Sequence, residues 1–140
     1  MEIAATRPKL VSFRALAFSG EIRAPASGSV SWSLQMAQNI EVGLAVPTVV
    51  GGILQAVVKI VLGTDATSEG DASHNAAFHA EYEARFDYPA KISEPDVLPQ
   101  FEQEPYQYML VAQAFPLAMT HFRRELQSMG FDARNLPLGI

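Results

Sequence analysis

The sequence has no cysteine among its 140 residues, and this absence excludes several kinds of chemistry. Without thiols there is no disulfide framework, no cysteine nucleophile and no cysteine-ligated metal. The same composition suits a reducing compartment, so we expect a cytoplasmic location. With 49% hydrophobic residues at this length, the chain can bury a core of its own. We therefore expect residues 1–140 to form a single domain.

Basic charge is also scarce, because 10 Lys and Arg residues stand against 15 Asp and Glu residues, a net charge of −5. Binding of phosphates needs clustered Lys and Arg, whereas here they are scattered, so no nucleic-acid partner is expected. The most apolar window, residues 42–62, is broken by Gly, Pro, Gln and Lys. A membrane-spanning helix needs about 20 mostly apolar residues, and we expect no integral membrane segment.

Recognisable catalytic motifs are missing as well. His74 and His79 lack the spacing of a metal site, and His121 lies far from both in the sequence. No serine lies in a Gly-x-Ser-x-Gly turn, and no glycine-rich loop precedes a helix. We expect no enzyme activity, no metal and no cofactor.

Four stretches of the chain have the patterns of β-strands: residues 9–23, 31–46, 53–63 and 76–88. In the first stretch the alternation changes phase near Ala17 and Phe18, which predicts a bulge or a bend. No helical pattern separates the four stretches. Because parallel strands need a crossover connection, the four stretches predict an antiparallel sheet.

The segments between and after these strands complete the predicted fold. Residues 64–75 are polar and are interpreted as a connection, and residues 89–103 are interpreted as a loop because they contain three prolines. Residues 104–129 have one apolar stripe at helical spacing, with Gly130 as a stop signal. Pro116 inside this helix predicts a kink or a division in two. The fold class is therefore α+β, a four-stranded antiparallel sheet followed by a long, proline-interrupted C-terminal helix.

Acidic residues dominate one face of the fourth strand, where Glu81, Glu83 and Asp87 surround Arg85. The simplest interpretation is a solvated sheet face. The alternative is an acidic surface that docks a basic partner. A catalytic pair of carboxylates fits least well, because a flat exposed sheet would not shift their pKa values.

Aromatic residues recur on the opposite face of the fourth strand and on the predicted helix. The simplest interpretation is that sheet and helix pack together and that these residues form the core. The alternative is a groove for an extended apolar peptide. On that interpretation the groove residues are Trp32, Phe78, Tyr82, Phe86, Val97, Leu98 and Phe101.

Four pieces of sequence occur in an order and spacing that is known from one family. They are Ala114-Phe115-Pro116 with Gly130-Phe131 and Asn135-Leu136-Pro137-Leu138; Asn39-Ile40-Glu41-Val42-Gly43-Leu44 leading into Val57-Val58-Lys59-Ile60-Val61-Leu62; Ala77-Phe78-His79-Ala80-Glu81-Tyr82; and Ile22-Arg23-Ala24-Pro25. Together, over roughly residues 10–138, they resemble SecB, the bacterial protein-export chaperones, and their SecB-like relatives.

The resemblance implies an ATP-independent holdase, which keeps unfolded polypeptides in apolar grooves without chemistry. It also implies a homotetramer built as a dimer of dimers, and Tyr108, Phe115 and Phe122 are the candidates for the subunit interface. The implied partners are unfolded clients, together with either the translocase motor ATPase of export or an antitoxin.

Two departures from the export chaperones shape the expected role. The sequence ends at Ile140, where those chaperones continue into a second helix, so we expect a SecB-like protein lacking the C-terminal helix. The first strand has Ser19 and Arg23 where acidic residues would dock the motor. Both departures favour a divergent SecB-like holdase, a group that includes chaperones of antitoxins.

Two other classes of protein remain as alternatives. One is a small α+β ligand-binding protein or enzyme of the cystatin-like cone type, although such folds usually place the long helix before the sheet. The other is a structural subunit of a phage or a secretion system.

Overall fold

The fold is a four-stranded antiparallel sheet with two helices on one face. The computed structural model describes residues 7–23, 32–68, 70 and 74–131. The elements are β1 (Lys9–Arg23), β2 (Trp32–Ala45), β3 (Gln55–Ser68), β4 (Asn75–Asp87), α1 (Glu94–Phe101) and α2 (Glu104–Ser128). The strand order is β1-β4-β3-β2, with all neighbours antiparallel. The predicted fold class is confirmed.

The core lies between the helices and one face of the sheet, which we call the inner face. Alternate residues of β3 and β4 point to this face, and they are almost completely buried. The stripe of α2 that meets them includes Leu110, Phe115 and Phe122, all at 0% exposure. The opposite, outer face of the sheet has no helix against it among the described residues. The apolar faces of the strands, which repeat every two residues, and the apolar stripe of α2, which repeats every 3.6 residues, therefore pack together in one core.

Strand β1 contains two register shifts against β4, between Leu10 and Ser12 and between Ala15 and Ala17. The second shift confirms the bulge predicted near Ala17, and the first was not predicted. The residues inside the two shifts, Val11 and Leu16, are 50% and 45% exposed. An extra residue in one strand is left unpaired, so the bulges place two apolar side chains at the edge of the sheet.

Strand β3 is longer than predicted, because residues 64–68 continue the strand instead of forming a connection. Thr64 pairs with Met36 on one side and Phe78 on the other, and Thr67 pairs with Asn75. Pairing on both sides outweighs the polar composition of this segment.

The interpretation of residues 89–103 as a loop is wrong, because they contain helix α1. Pro95 lies in the first turn, where a proline lacks only an N–H that would be unpaired in any case. Asp96 accepts hydrogen bonds from the backbone N–H and the hydroxyl of Ser93 at 2.8 and 2.9 Å. This reciprocal cap supports the start of a short helix despite its prolines.

Pro116 does not divide the long helix, since α2 is one helix of 25 residues. The carbonyl that loses its partner belongs to Ala112, four residues earlier, and Ala112 is exposed. Water can therefore satisfy that carbonyl. A kink at Pro116 stays a prediction.

Other expectations fall outside the described part of the chain. Ala24 and Pro25 of the Ile22-Arg23-Ala24-Pro25 motif, and the whole Asn135-Leu136-Pro137-Leu138 motif, lie outside the described residues. Within the described part, neither helix has both the length and the apolar character required to cross a bilayer.

The fold predicts an effect of removing the hydroxyl of Thr64. This residue is 1% exposed on the inner face, and its Oγ1 has no hydrogen-bond partner among the described residues. Because a buried hydroxyl without a partner is costly, Thr64→Val should raise the free energy of unfolding by about 1 kcal/mol. Urea denaturation measures the change. The control is Thr67→Val, which adds the same methyl group at an exposed position of β3. An equal gain in both variants would contradict the explanation.

Candidate functional site

The helices cover the inner face of the sheet unevenly. Phe122 of α2 packs edge-on against Phe18 of β1 with ring centroids 6.2 Å apart, and His121 packs against Tyr82 of β4 at 5.3 Å. The helix also contacts β3 and β2, so it crosses all four strands. Strands β1 and β2 are the edges of the sheet, and their inner-face residues are covered less completely than those of β4 and β3.

A row of half-buried apolar side chains on β2 results from this placement. In β3, Ile60 and Val58 are 1% and 0% exposed, whereas their partners in β2, Ile40 and Val42, are only half-buried. We call this row the β2 shelf, and its members are Trp32, Leu34, Met36, Ile40, Val42 and Leu44.

Strand β2 is also an edge strand, because among the described residues it pairs only with β3. Half of its backbone N–H and C=O groups therefore have no strand partner. An edge of this kind accepts an extended chain as an additional strand. The β2 shelf thus combines apolar surface with free main-chain hydrogen-bonding groups.

The end of helix α2 borders the shelf at Trp32. The N–H of Phe131 donates to Leu126 O at 3.0 Å, and Gly130, with φ of +83°, donates to Gln127 O at 2.9 Å. This pair of bonds is a Schellman motif, which ends the helix as the glycine predicted. Phe131 then packs against Trp32 at 5.5 Å and against Phe78 at 5.3 Å between ring centroids.

An exposed apolar turn borders the shelf at its other end. In the β2–β3 turn, Val49 is 69% exposed and Val50 is completely exposed. Between this turn and residues 90–94 lies a groove of about 460 Å³, lined by Pro47, Ile53 and Ile92 among others. Apolar surface therefore continues beyond Leu44, along the same end of the sheet.

The predicted groove residues lie in two different environments. Phe78, Tyr82, Phe86, Val97 and Phe101 are at most 7% exposed and belong to the core. Only Trp32, which is half-buried, and Leu98, which is 37% exposed, reach the surface. A role of the five buried residues in binding stays a prediction, and in this conformation the helices cover them.

The sequence did not identify the other five members of the β2 shelf as candidates for binding. Their shared parity is visible in the sequence, since apolar residues occupy alternate positions from Trp32 to Leu44. That pattern predicts a half-buried strand. It does not tell which strands the helix covers only in part.

Two buried tyrosine hydroxyls in the core act as hydrogen-bonding groups. Tyr82 Oη lies 2.9 Å from His121 Nδ1, and Tyr88 Oη lies 2.6 Å from Tyr106 Oη. Burial raises the pKa of Tyr82, with a further contribution from the charge of Glu125, and burial also raises the pKa of Tyr88. Both hydroxyls stay protonated at neutral pH, so they link sheet and helix and supply no base.

The simplest interpretation of the acidic face expected a solvated carboxylate at Glu83. The structure instead buries this carboxylate. It is 5% exposed and accepts hydrogen bonds from Arg14 at 3.1 Å and from Arg85 at 3.0 Å. Burial opposes ionisation of Glu83, but the hydrogen bonds and charges of Arg85 and Arg14 outweigh burial and hold its pKa below the ordinary value.

The neighbouring groups extend this network across the outer face. Arg85 also donates to Gln55 Oε1 at 2.9 Å, and Gln55 donates to Asp87 Oδ1 at 2.6 Å. Asp87 and Glu83 are therefore both engaged within the sheet, while Glu81 is half-buried on the same face. A docking role for the three acids stays a prediction.

The three residues proposed for a subunit interface also differ in exposure. Tyr108 is 54% exposed, whereas Phe115 and Phe122 are completely buried on the side of α2 that faces the sheet. Of these three residues, a second subunit can directly contact only Tyr108 in this conformation.

Among the described residues, no group of three or more His, Asp or Glu side chains could hold a metal ion.

Comparison with known proteins gives a structural match without a sequence match. No family model matches the chain, and no curated protein sequence matches it. Mycobacterium tuberculosis Rv1957, a SecB-like chaperone solved in complex with a ChAD peptide from the Rv1956 HigA1 antitoxin, has a similar structure. The TM-score is 0.58 at 18% sequence identity, and the match covers 96% of this chain and 92% of that one. The chain therefore has a SecB-like fold, as the sequence resemblance indicated.

The Glu83 network predicts a pH-dependent contribution to stability. Because the pKa of Glu83 is lower in the folded state, its ion pairs contribute fully above about pH 4.5, and the contribution is lost as the pH falls through the folded-state value. Glu83→Gln should lower the free energy of unfolding at pH 7 by about 1–2 kcal/mol.

The measurement is urea denaturation between pH 7 and pH 3, where the difference from the wild type should shrink with falling pH. Glu81→Gln is the control, since it removes a carboxylate from the same face of the same strand. A difference for Glu83→Gln that stays constant down to pH 3 would contradict the assignment.

Proposed function

We propose that this protein is an ATP-independent chaperone that holds unfolded polypeptides on the β2 shelf. The observation that carries the proposal is a row of six half-buried apolar side chains on an edge strand. Contiguous exposed apolar surface on a folded protein is costly and marks an interaction site. Holding a polypeptide there requires no catalytic group and no nucleotide.

An extended client segment fits the chemistry of the shelf. Its backbone would pair with the free N–H and C=O groups of β2, and its alternate side chains would pack on residues such as Met36 and Ile40. Main-chain hydrogen bonds are the same for every sequence, so the site would accept many clients whose apolar residues alternate. A folded protein offers no such segment, which explains selectivity for unfolded chains.

We propose that the client is an antitoxin rather than an exported protein. The SecB-like neighbour from Mycobacterium tuberculosis is bound to an antitoxin peptide, which supports a polypeptide client of this kind. Docking of a translocase motor through an acidic face has less support, because Arg14 and Arg85 neutralise Glu83 on the outer face. We propose a cytoplasmic location, where such clients are made.

We further propose a homotetramer arranged as a dimer of dimers. Strand β1 is the second edge of the sheet and exposes Val11 and Leu16, while α2 exposes Tyr108 and Leu117 at 54% and 40%. Two separate apolar surfaces, on an edge and on a helix, support two kinds of subunit contact.

The shelf can be tested by removing apolar surface without removing the strand. Met36→Ser with Val42→Ser should weaken binding of a fluorescent peptide in which Leu alternates with Ser by about tenfold, because two apolar contacts are lost. The same variant should suppress aggregation of a chemically unfolded test protein less well, in the absence of ATP. Fluorescence anisotropy and light scattering measure the two effects.

The matched control is Val57→Ser with Val61→Ser, which removes two half-buried residues from the outer face of β3. This control should bind the peptide as the wild type does. Thermal melting of each variant separates loss of the site from loss of the fold. Equal binding by the two double variants, both folded, would reject the shelf as the binding site.

The proposed assembly predicts a mass in solution. Light scattering coupled to gel filtration should give a particle close to four times the chain mass of 15.2 kDa. Tyr108→Glu should lower this mass, because a buried charge at an interface is costly. A wild-type protein that stays monomeric at micromolar concentration would contradict the tetramer.

A further inference from the structure

Charges of alternating sign cross the outer face of the sheet in one row. In the registers of the sheet, Arg14 of β1 lies opposite Glu83 of β4, and Lys59 of β3 lies opposite Glu83 on its other side. Lys59 in turn lies opposite Glu41 of β2. Directly opposed side chains of neighbouring strands interact, and opposite charges there are favourable. We call these four residues the charge row, and the row ends at Glu41 on the edge strand.

The carboxylate of Glu41 is available to a partner. Glu41 is exposed, and it is the single charged residue of β2. Among the described residues, no hydrogen bond or ion pair engages its carboxylate. Glu83, inside the row, is instead held by Arg14 and Arg85. A strand added beside β2 would therefore place one of its side chains directly against an unengaged carboxylate.

The apolar side chains of the β2 shelf leave the register of an added strand open. Side chains of a strand repeat every two residues, so a bound segment that slides by two residues returns its apolar side chains to the shelf. The other residues of β2 that point to the outer face are uncharged: Ser33, Gln35, Ala37, Asn39, Gly43 and Ala45. The charge of Glu41 removes this equivalence, because a given cation of the added strand lies opposite Glu41 in one register alone.

The other edge of the sheet is less suited to an added strand. Strand β1 shifts its register twice, and it has four charged residues, Lys9, Arg14, Glu21 and Arg23. Bulges and charges on an edge oppose main-chain pairing with a further strand, although side chains there can still contact a partner. Strand β2 pairs with β3 through all 14 of its residues without a shift, and it has no proline. The regular edge is therefore the one that ends the charge row.

We propose that Glu41 fixes the register of a bound client, which places a Lys or Arg directly opposite Glu41. The cation extends the charge row to a fifth strand with the same alternation of sign. The preferred client segment is thus one in which apolar and polar residues alternate and one polar position is Lys or Arg. An acidic residue at that position is disfavoured, because like charges would lie opposite each other. This role of Glu41 rests on the proposed chaperone function, because it requires a client on the β2 shelf.

Three fluorescent peptides with blocked ends test the selection. One is the peptide in which Leu alternates with Ser, and in the other two its central Ser is replaced by Lys or by Glu. At about 0.15 M salt, where distant charges are screened, the wild type should bind the Lys peptide about fivefold more tightly than the Glu peptide. Glu41→Lys should reverse this preference. Fluorescence anisotropy measures the affinities.

The matched control is Glu21→Lys, which makes the same change in net charge on the outer face of the other edge strand. Glu21 is exposed and pairs with Arg23 at 2.7 Å, two residues away in the same strand. This control should keep the preference for the Lys peptide. Equal binding of the Lys and Glu peptides by the wild type, or the same preference in both variants, would overturn the role of Glu41 and leave the chaperone function standing. If the wild type binds none of the three peptides, the chaperone function itself fails.

The register has a separate readout through disulfide formation, since the chain has no native cysteine. Asn39→Cys places a thiol at an exposed position of the outer face, two residues from Glu41. Four Lys peptides each have one Ser replaced by Cys, either two or four residues from the Lys and on either side of it. With Lys opposite Glu41, one of the two nearer Cys positions lies opposite residue 39, within the Cα separation of about 7 Å that a disulfide requires. The farther positions lie about 7 Å further along the strand.

One of the two nearer Cys peptides should therefore form the disulfide about fivefold faster than either farther one, and the side that reacts gives the direction of the client strand. In the double variant Glu41→Gln with Asn39→Cys, the rates should become equal. Rates that are equal before Glu41 is changed, or that stay different after it is changed, would overturn the fixed register.

Discussion

One long helix has to cover a sheet that is wider than the helix, and the rest of the structure depends on this mismatch. A helix with its side chains is about 10–12 Å across, whereas four strands spaced at about 4.8 Å span more than that. Helix α2 contacts β1 and β4 through Phe122 and His121, and α1 adds Val97 and Phe101 to the core. The two edge strands, β1 and β2, therefore keep apolar residues that are only half-buried.

Strand β2, which the helix covers only in part, also lacks a second neighbouring strand among the described residues. Because β2 is an edge, its half-buried side chains and its free backbone groups lie together, and this combination is what a binding site for extended polypeptide requires. On the outer face the arrangement is different. There Arg14 and Arg85 enclose Glu83, so the charges satisfy one another within the sheet and offer less to an external partner.

Local pattern was sufficient for much of this fold and insufficient at particular places. Alternation in the first strand located the bulge near Ala17, and Gly130 located the end of the helix, because both signals are local. Helix α1 was not predicted, because the interpretation of residues 89–103 as a loop rested on their three prolines. The cap formed by Ser93 and Asp96 was not recognised in the sequence. The extension of β3 to Ser68 was missed because its stability comes from pairing with β2 and β4, which are distant in sequence.

The sequence by itself determined which face of each strand is apolar, where the long helix runs and which family the fold resembles, because these depend on spacing along the chain. Only the tertiary structure decided the strand order, and with it that Trp32 to Leu44 form a half-buried edge while Phe78, Tyr82 and Phe86 are buried. The two sets have the same alternating pattern in the sequence. Their fates differ because burial depends on which strands flank each strand and where the helix lies, and both are set by contacts between distant parts of the chain.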